Sequence, residues 1–178
     1  MKTLGLYNTL RDKSLKGVAR RQAVIELMLR GEAPLALLQD LMPQLDEKNA
    51  ATVLEALEEI SNKKLMPLEE GYLPLVIPYI ASASNSCRRE ASRIVGNLAA
   101  TFPEEVGEAV PLLMDNTADE GTVVRWSAAY ALSRIVVLPS YAQSGLYDEL
   151  QQLAATETEH GVKSQYDKAL KKTSKIRG

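Results

Sequence analysis

The sequence predicts an all-α protein made of stacked helix pairs, and three observations lead to this fold class. Apolar residues make up 46% of the 178 residues, yet aromatic residues are scarce, with one Trp, one Phe and seven Tyr. Leucine, alanine, isoleucine and valine dominate, without the alternation that is typical of strands. A pattern of small and aliphatic residues also recurs along the chain, and prolines recur in step with it. These features indicate helices that pack through aliphatic side chains.

The repeat is clearest between two segments that begin at Cys87 and Val124, CRREASRIVGNL and VRWSAAYALSRI. The alignment extends to five second helices, which begin at Ala19, Asn49, Cys87, Val124 and Val162. Eight residues after each start, the column reads Leu27, Leu57, Val95, Leu132 and Leu170. Four residues after each start, it reads Ala23, Val53, Ala91, Ala128 and Tyr166. Both positions lie on one helical face, so the columns predict a buried stripe in every copy.

Three prolines, Pro43, Pro78 and Pro111, lie at similar intervals inside the apolar segments that precede second helices. Proline inside a helix removes a backbone hydrogen bond and costs about 3 kcal/mol. Because the three recur in register, they predict a kink in each of these first helices, which lets successive pairs stack with curvature. The alternative is that they are unrelated and that each ends a short helix.

The chain is predicted to be a single domain of five antiparallel helix pairs. The pairs span about residues 3–30, 34–62, 69–101, 103–138 and 145–172. The first helices cover about residues 3–12, 34–45, 69–82, 103–116 and 145–156, and the second helices about 17–30, 47–62, 86–101, 122–138 and 161–172. Residues 173–178 are predicted to fray at the end of the last helix.

The fourth pair carries a pattern that resembles HEAT repeats. A first helix with proline is followed by a second helix with Val124, Arg125, Ala128, Ala131, Leu132 and Ile135. The short period is similar to that of bacterial HEAT-like proteins, and the resemblance implies an α-α superhelix, a HEAT-like solenoid whose second helices line a groove. Ala50 departs from the pattern, because other copies have arginine or lysine there, and the first pair lacks the proline. Tetratricopeptide repeats fit less well, since their proline ends the second helix.

An enzyme is not predicted, because the residues of common active sites are missing. His160 is the only histidine, so His-rich zinc sites, His-carboxylate iron sites and Ser-His-Asp systems lack parts, and His160 itself is expected to be a solvated turn residue and not a catalytic one. The sequence has no glycine-rich phosphate loop. Cys87 is either a reactive thiol beside Arg88 and Arg89 at a helix start or a small buried residue. We therefore expect no catalytic residue, no metal and no cofactor.

The candidate binding residues lie on the second helices of the third and fourth pairs, where arginine and aromatic residues cluster. The predicted partner-binding residues are Arg89, Arg93, Asn97, Trp126, Tyr130 and Arg134. A spacing of four residues places each set on one face of its helix. Arg, Tyr and Trp are the residue types that most often anchor protein interfaces. Arg88 and Arg125 are instead expected to be structural and to pair with acids of a neighbouring turn, such as those at 119–120.

The leading functional hypothesis is a non-catalytic protein-interaction or scaffold module that holds a peptide, helix or acidic segment in the groove. Nucleic-acid binding in the same groove is an alternative, favoured by the lysines of the last helix. It is opposed by the net charge of −2 and by Glu55, Glu58 and Glu59 beside the groove. An accessory subunit of an enzyme system, as in HEAT-like chromophore lyases, is a further alternative that rests on the resemblance alone. A homodimer formed through the ends of the stack is another.

A cytoplasmic location without membrane insertion is expected. The first residues reach Arg11 and Asp12 before any apolar run long enough for a signal peptide. No run approaches the roughly 20 apolar residues that cross a bilayer. The single cysteine cannot form an internal disulfide, which fits a reducing compartment.

Overall fold

The computed structural model describes the backbone of residues 2–178 and the side chains of residues 4–178. Across residues 2–178 every regular element is a helix, which confirms the predicted all-α class. The α-helices are α1 (Lys2–Arg11), α2 (Gly17–Leu29), α3 (Leu35–Leu41), α4 (Glu47–Lys63), α5 (Tyr72–Val76), α6 (Asn85–Leu98), α7 (Ala109–Asn116), α8 (Thr122–Val136), α9 (Pro139–Ala142), α10 (Leu146–Thr156) and α11 (His160–Arg177). Two 3₁₀ helices, Met42–Gln44 and Ile77–Ala81, continue α3 and α5.

The five longest helices, α2, α4, α6, α8 and α11, are the predicted second helices, and each packs against the next in chain order. The shorter α1, α3, α5, α7 and α10 lie beside them as the first helices. One contiguous hydrophobic core joins the two rows and runs from Leu6 in α1 to Ala169 in α11. Each pair therefore packs mainly against its sequence neighbours, which is the architecture of a helical-repeat solenoid.

The two predicted columns form the buried stripe of the second helices. Their buried members are Leu27, Leu57, Val95, Leu132, Val53, Ala91, Ala128 and Tyr166. The exceptions are Ala23 in α2 and Leu170 in α11, which are half-buried. These two residues lie on the first and last second helices, which have a neighbouring second helix on one side only.

Local capping explains where several second helices begin and end. The Asp46 side chain accepts a hydrogen bond from the Asn49 amide at 2.8 Å, as a helix N-cap does. Ser84 caps α6 in the same way through the Cys87 amide. Gly31, with φ +73°, ends α2, because the left-handed backbone that closes the helix suits glycine.

The prolines of the first helices divide into two kinds. At Pro43 and Pro78 the α-helix ends just before the proline and the backbone continues as a 3₁₀ helix. The expected kink is thus a change to tighter winding, and each proline is the second residue of its 3₁₀ helix, where the amide has no partner within that helix. The predicted kink at Pro111 is wrong. Residues 103–108 form turns, α7 begins only at Ala109, and Pro111 lies in the first turn, where amides have no helical partner.

The last helix is longer than the sequence predicts, and the expected fraying is wrong. α11 continues to Arg177, and Thr173 within its last turns is fully buried. Arg177 donates a hydrogen bond from Nη1 to the carbonyl oxygen of Ala142 at 3.0 Å, and its guanidinium lies 4.3 Å from the Tyr147 ring centroid. These contacts hold the final turn of α11 against α9 and α10.

Two arginines link successive repeats through ion pairs. Arg88 Nη1 lies 2.9 Å from Asp119 Oδ1, and Arg125 contacts both carboxylate oxygens of Glu157, at 3.1 and 3.2 Å. Arg125 also donates to the backbone carbonyls of Asp119 and Glu120, each at 3.1 Å. The structural role expected of both arginines is confirmed. The carboxylate that pairs with Arg125 belongs to the next turn along the chain, not to the turn just before it.

Exposed apolar side chains gather at the first pair. Leu4, Tyr7, Val18 and Leu29 on α1 and α2 are 39–68% exposed. Dimerisation through this end of the stack stays a prediction. Of the helices within residues 2–178, none combines the length and apolar character that a membrane span requires.

Candidate functional site

The six predicted binding residues lie together on two adjacent helices, and we call this cluster the α6–α8 patch. Its members are Arg89, Arg93 and Asn97 on α6, and Trp126, Tyr130 and Arg134 on α8. In both sets the residues are four apart and follow one line along the helix surface. Because α6 and α8 pack side by side, the two lines become one continuous surface.

The aromatic rings and two arginines of the α6–α8 patch form a row of contacts. The Trp126 and Tyr130 rings stack with centroids 5.3 Å apart and an interplanar angle of 26°. The Arg134 guanidinium lies 3.5 Å from the Tyr130 centroid, and that of Arg93 lies 5.9 Å from Trp126. The offset rings and the cation–π contacts stabilise one another, so the row is ordered before any partner arrives.

Tyr130 is also held by polar contacts that cross three second helices. Its hydroxyl donates to the side-chain oxygen of Asn97. Asn97 Nδ2 in turn donates to Ser61 Oγ in α4, at 3.0 Å. Burial raises the pKa of the Tyr130 hydroxyl, so at neutral pH this group keeps the hydrogen that it donates.

Arg89 and Arg93 are not free cations, which the sequence did not reveal. Arg89 Nε lies 2.9 Å from Glu90 Oε1, and Arg93 Nη2 lies 3.2 Å from Glu58 Oε1. Both glutamates are buried, at 5% and 8% exposed. Burial raises the pKa of Glu90, while the hydrogen bond from Arg89 acts in the opposite direction. These two arginines therefore neutralise interior carboxylates as well as facing the surface.

Two of the depressions that border the α6–α8 patch differ in charge. On the side of α2 and α4, a depression of about 230 Å³ is lined by three arginines and four glutamates: Arg21, Arg89, Arg93, Glu55, Glu58, Glu59 and Glu90. On the other side, between α8 and α11, a depression of about 420 Å³ is lined by Arg134, Lys168 and Lys172 with Val137 and Ala169. We call these the mixed-charge depression and the basic depression. A larger depression, of about 560 Å³, lies apart from the patch, between the starts of α2, α4 and α6.

The predicted binding residues do not include Lys168 and Lys172, although the repeat alignment places both lysines in columns that supply predicted binding residues. In the alignment, Lys168 takes the position of Tyr130, and Lys172 takes that of Arg134. They therefore continue the lines of the α6–α8 patch onto the next second helix.

The residues considered for catalysis occupy different environments. Cys87 is fully buried, its Sγ lies 3.5 Å from the carbonyl oxygen of Glu47, and burial raises the pKa of the thiol. His160 is exposed at the start of α11. Among the side chains of residues 4–178, no group of three or more His, Cys, Asp or Glu is arranged to hold a metal ion.

Comparison with known proteins identifies the fold. No protein-family model matches the sequence, and no curated protein matches it significantly. Among solved structures, an engineered protein matches with a TM-score of 0.71 at 17% identity, over 98% of this chain and 80% of that chain. A designed armadillo repeat protein in complex with the peptide (KR)4 matches with 0.71 at 18%, over 94% and 80%. A chain of the CpcE–CpcF complex of phycocyanin lyase from Nostoc sp. matches with 0.69 at 20%, over 93% and 97%.

These likenesses share low sequence identity, and at that level they establish the fold alone. Two of the three matched structures, the armadillo repeat protein and the lyase subunit, are helical-repeat proteins. The chain matches them over 94% and 93% of its length. The protein has an all-α helical-repeat solenoid fold, as the repeat pattern predicted, and this fold is similar to those of the armadillo repeat protein and the lyase subunit.

Proposed function

We propose that the protein is a non-catalytic binding module that holds a peptide or helix of a protein partner against the α6–α8 patch. The observation that carries the proposal is the row formed by Arg93, Trp126, Tyr130 and Arg134. Trp, Tyr and Arg contribute most of the binding energy in protein interfaces. Here their side chains are only half-buried or exposed, so they remain open to a partner.

The contacts within the patch favour tight binding because they hold its side chains in place. Tyr130 is fixed by Asn97, Arg93 by Glu58, and Arg134 by the Tyr130 ring. Side chains that are already ordered lose less conformational entropy when a partner binds. The designed armadillo repeat protein in complex with a peptide gives a parallel for this use of the fold, and the CpcE–CpcF complex gives one for a protein partner.

Nucleic acid is the weaker alternative. The mixed-charge depression places Glu55, Glu58 and Glu59 along one side of the patch, where they would repel a phosphate backbone. The protein as a whole carries a net charge of −2. A peptide or helix needs to contact only part of this surface and can avoid those carboxylates.

A peptide library displayed on phage, selected on the immobilised protein, tests the proposal. The variant is W126A with R134A, because it removes the half-buried Trp126 and the exposed Arg134 from the row and leaves the Arg93–Glu58 pair intact. Selected peptides should bind this variant at least about tenfold more weakly than the wild type. Circular dichroism melting of both proteins checks that the fold is retained.

The matched control is Y7A with R11A on α1. This pair has the same chemistry, with the Arg11 guanidinium 5.0 Å from the Tyr7 ring centroid, but lies far along the chain from the patch. The control variant should bind the selected peptides as the wild type does. Equal binding by the W126A/R134A variant, or an equal loss in the control, would overturn the proposal.

A further inference from the structure

The basic depression is lined by three cations that form no ion pair with the described side chains, residues 4–178. Within residues 4–178, none of Arg134, Lys168 and Lys172 has a carboxylate oxygen within 4.0 Å. Lys168 and Lys172 are also one turn apart on α11, an arrangement in which like charges repel. The protein therefore holds three cations around one depression at some cost to its own stability.

The mixed-charge depression on the other side of the patch differs from the basic depression in its balance of charge. Its three arginines are matched by four glutamates, and two of those arginines form ion pairs within it. Both depressions lie between neighbouring second helices, so the difference comes from their side chains and not from the backbone. A cluster of cations without paired acids, in one of two otherwise similar depressions, indicates a site for an anion from outside the chain.

Arg134 connects the basic depression to the α6–α8 patch. Its guanidinium stacks on Tyr130, and among residues 4–178 its one hydrogen bond is a weak one, from Nη1 to the Tyr130 carbonyl oxygen at 3.4 Å. An arginine has five N–H donors, so a planar edge remains for an oxyanion, which arginine can bind through two hydrogen bonds. Ser133 contributes less, because its hydroxyl already donates to the Gln165 carbonyl oxygen at 3.0 Å.

The lining combines charge with an apolar part. Val137 and Ala169 lie in the same depression as the three cations. An acidic side chain combines the matching parts, because apolar carbons connect its charged oxyanion to the backbone. The depression thus suits the whole side chain of an acidic residue and not only a free ion.

We infer that the basic depression is an anion subsite, in which Arg134, Lys168 and Lys172 bind the carboxylate or phosphate group of an acidic residue in the bound peptide. The inference rests on the proposed function, because the peptide on the α6–α8 patch carries the anion. In the bound peptide, one residue contacts Trp126 and Tyr130, and a residue nearer to α11 carries the negative charge. The chemistry common to both sources is an oxyanion next to a short apolar stem.

Nuclear magnetic resonance titration of the full chain tests the subsite. The probes are N-acetylphosphoserine amide, N-acetylglutamate amide and inorganic phosphate, with sodium chloride at the same ionic strength as the reference. Saturable shifts of the Arg134 side-chain Nε–H signal are expected with at least one of the first two probes. A response to both amino-acid probes supports a general oxyanion subsite, and a response to phosphoserine alone supports a phosphate subsite.

Two charge-matched variants give the control. K168Q with K172Q removes two of the three cations, and the dissociation constant should rise about tenfold or more, a change of about 1.4 kcal/mol. K171Q with K175Q removes the same charge from exposed positions of the same helix and should leave the constant unchanged. Equal effects of the two variants, or shifts that sodium chloride reproduces, would overturn the subsite.

This experiment separates the subsite from the proposed function. If library peptides bind through Trp126 and Arg134 while no probe saturates the Arg134 signal, the subsite is wrong and the binding module stands. If the probes saturate but no selected peptide depends on the patch, the proposed function is wrong: the depression binds an oxyanion, but not as part of a peptide on the α6–α8 patch.

Discussion

The ring of Tyr130 lies against Gly96 of the preceding second helix, so closely that a β-carbon at position 96 would come within 2.8 Å of two ring carbons. The same β-carbon would lie 3.2 Å from the Cα of Ala131. The missing side chain thus lets α6 and α8 approach each other and leaves room for the ring. Gly96 positions the central residue of the α6–α8 patch without belonging to it.

Replacing Gly96 by alanine should lower the free energy of unfolding by roughly 1–3 kcal/mol. Alanine favours the helix by about 1 kcal/mol, but the Tyr130 ring must move outward and lose its hydrogen bond to Asn97. Urea unfolding followed by circular dichroism measures the change. In a Y130A background the same substitution should be less destabilising, since the ring is gone. An equal effect in both backgrounds would contradict the contact.

The Arg125–Glu157 pair should contribute more to stability than an ion pair on the surface. R125A removes a two-pronged contact with Glu157, and we expect a loss of about 2 kcal/mol in the free energy of unfolding. R125K keeps the positive charge but cannot donate two parallel hydrogen bonds to the carboxylate, so it should recover only part of the lost stability. R30A, which breaks an exposed pair with Glu32 at 3.4 Å, is the control and should change stability by about 0.5 kcal/mol or less. Equal losses for R125A and R30A would count against a special role of the half-buried Arg125–Glu157 pair.

Glu90 should make the stability depend on pH in a defined direction. Burial raises its pKa in the folded protein, so ionisation disfavours the folded state as pH rises through the folded pKa. E90Q removes this effect and should stabilise the protein at neutral pH relative to wild type. The advantage should shrink as the solution is acidified below the usual glutamate pKa of about 4.3, because the wild-type carboxyl group is then protonated in both the folded and the unfolded state.

Chemical denaturation at the two pH values measures the difference for Glu90. In an R89Q background the advantage of E90Q at neutral pH should grow, because the carboxylate has lost its hydrogen-bond donor. An advantage that is larger in acid than at neutral pH would show that burial does not dominate at this site.

Cys87 should be unreactive in the folded protein. The residue is fully buried and burial raises the pKa of its thiol, so neither access nor thiolate is available to a reagent. Labelling with a disulfide reagent such as Ellman's should be slow under native conditions and rapid in concentrated guanidinium. A fast reaction in the native protein would favour the reactive-thiol alternative.

Residue spacing in the sequence predicts part of the candidate site. Trp126, Tyr130 and Arg134 are four residues apart, so any helix over this segment places them in one line. The repeat alignment adds the adjacent helix and brings Arg93 beside them. Contacts between these side chains, such as the hydrogen bond from Tyr130 to Asn97, depend on how closely α6 and α8 approach, which Gly96 permits.

By itself, the sequence determined that the protein is an all-α stack of helix pairs, because burial repeats with the same helical spacing in each copy. Only the tertiary structure decided which cations are balanced. Arg93 contacts Glu58 and Arg125 contacts Glu157 across neighbouring repeats, while none of the described residues that line the basic depression is an acid. The physical reason is that an ion pair requires two side chains within a few ångströms, and packing between helices sets that distance with no fixed spacing in the chain.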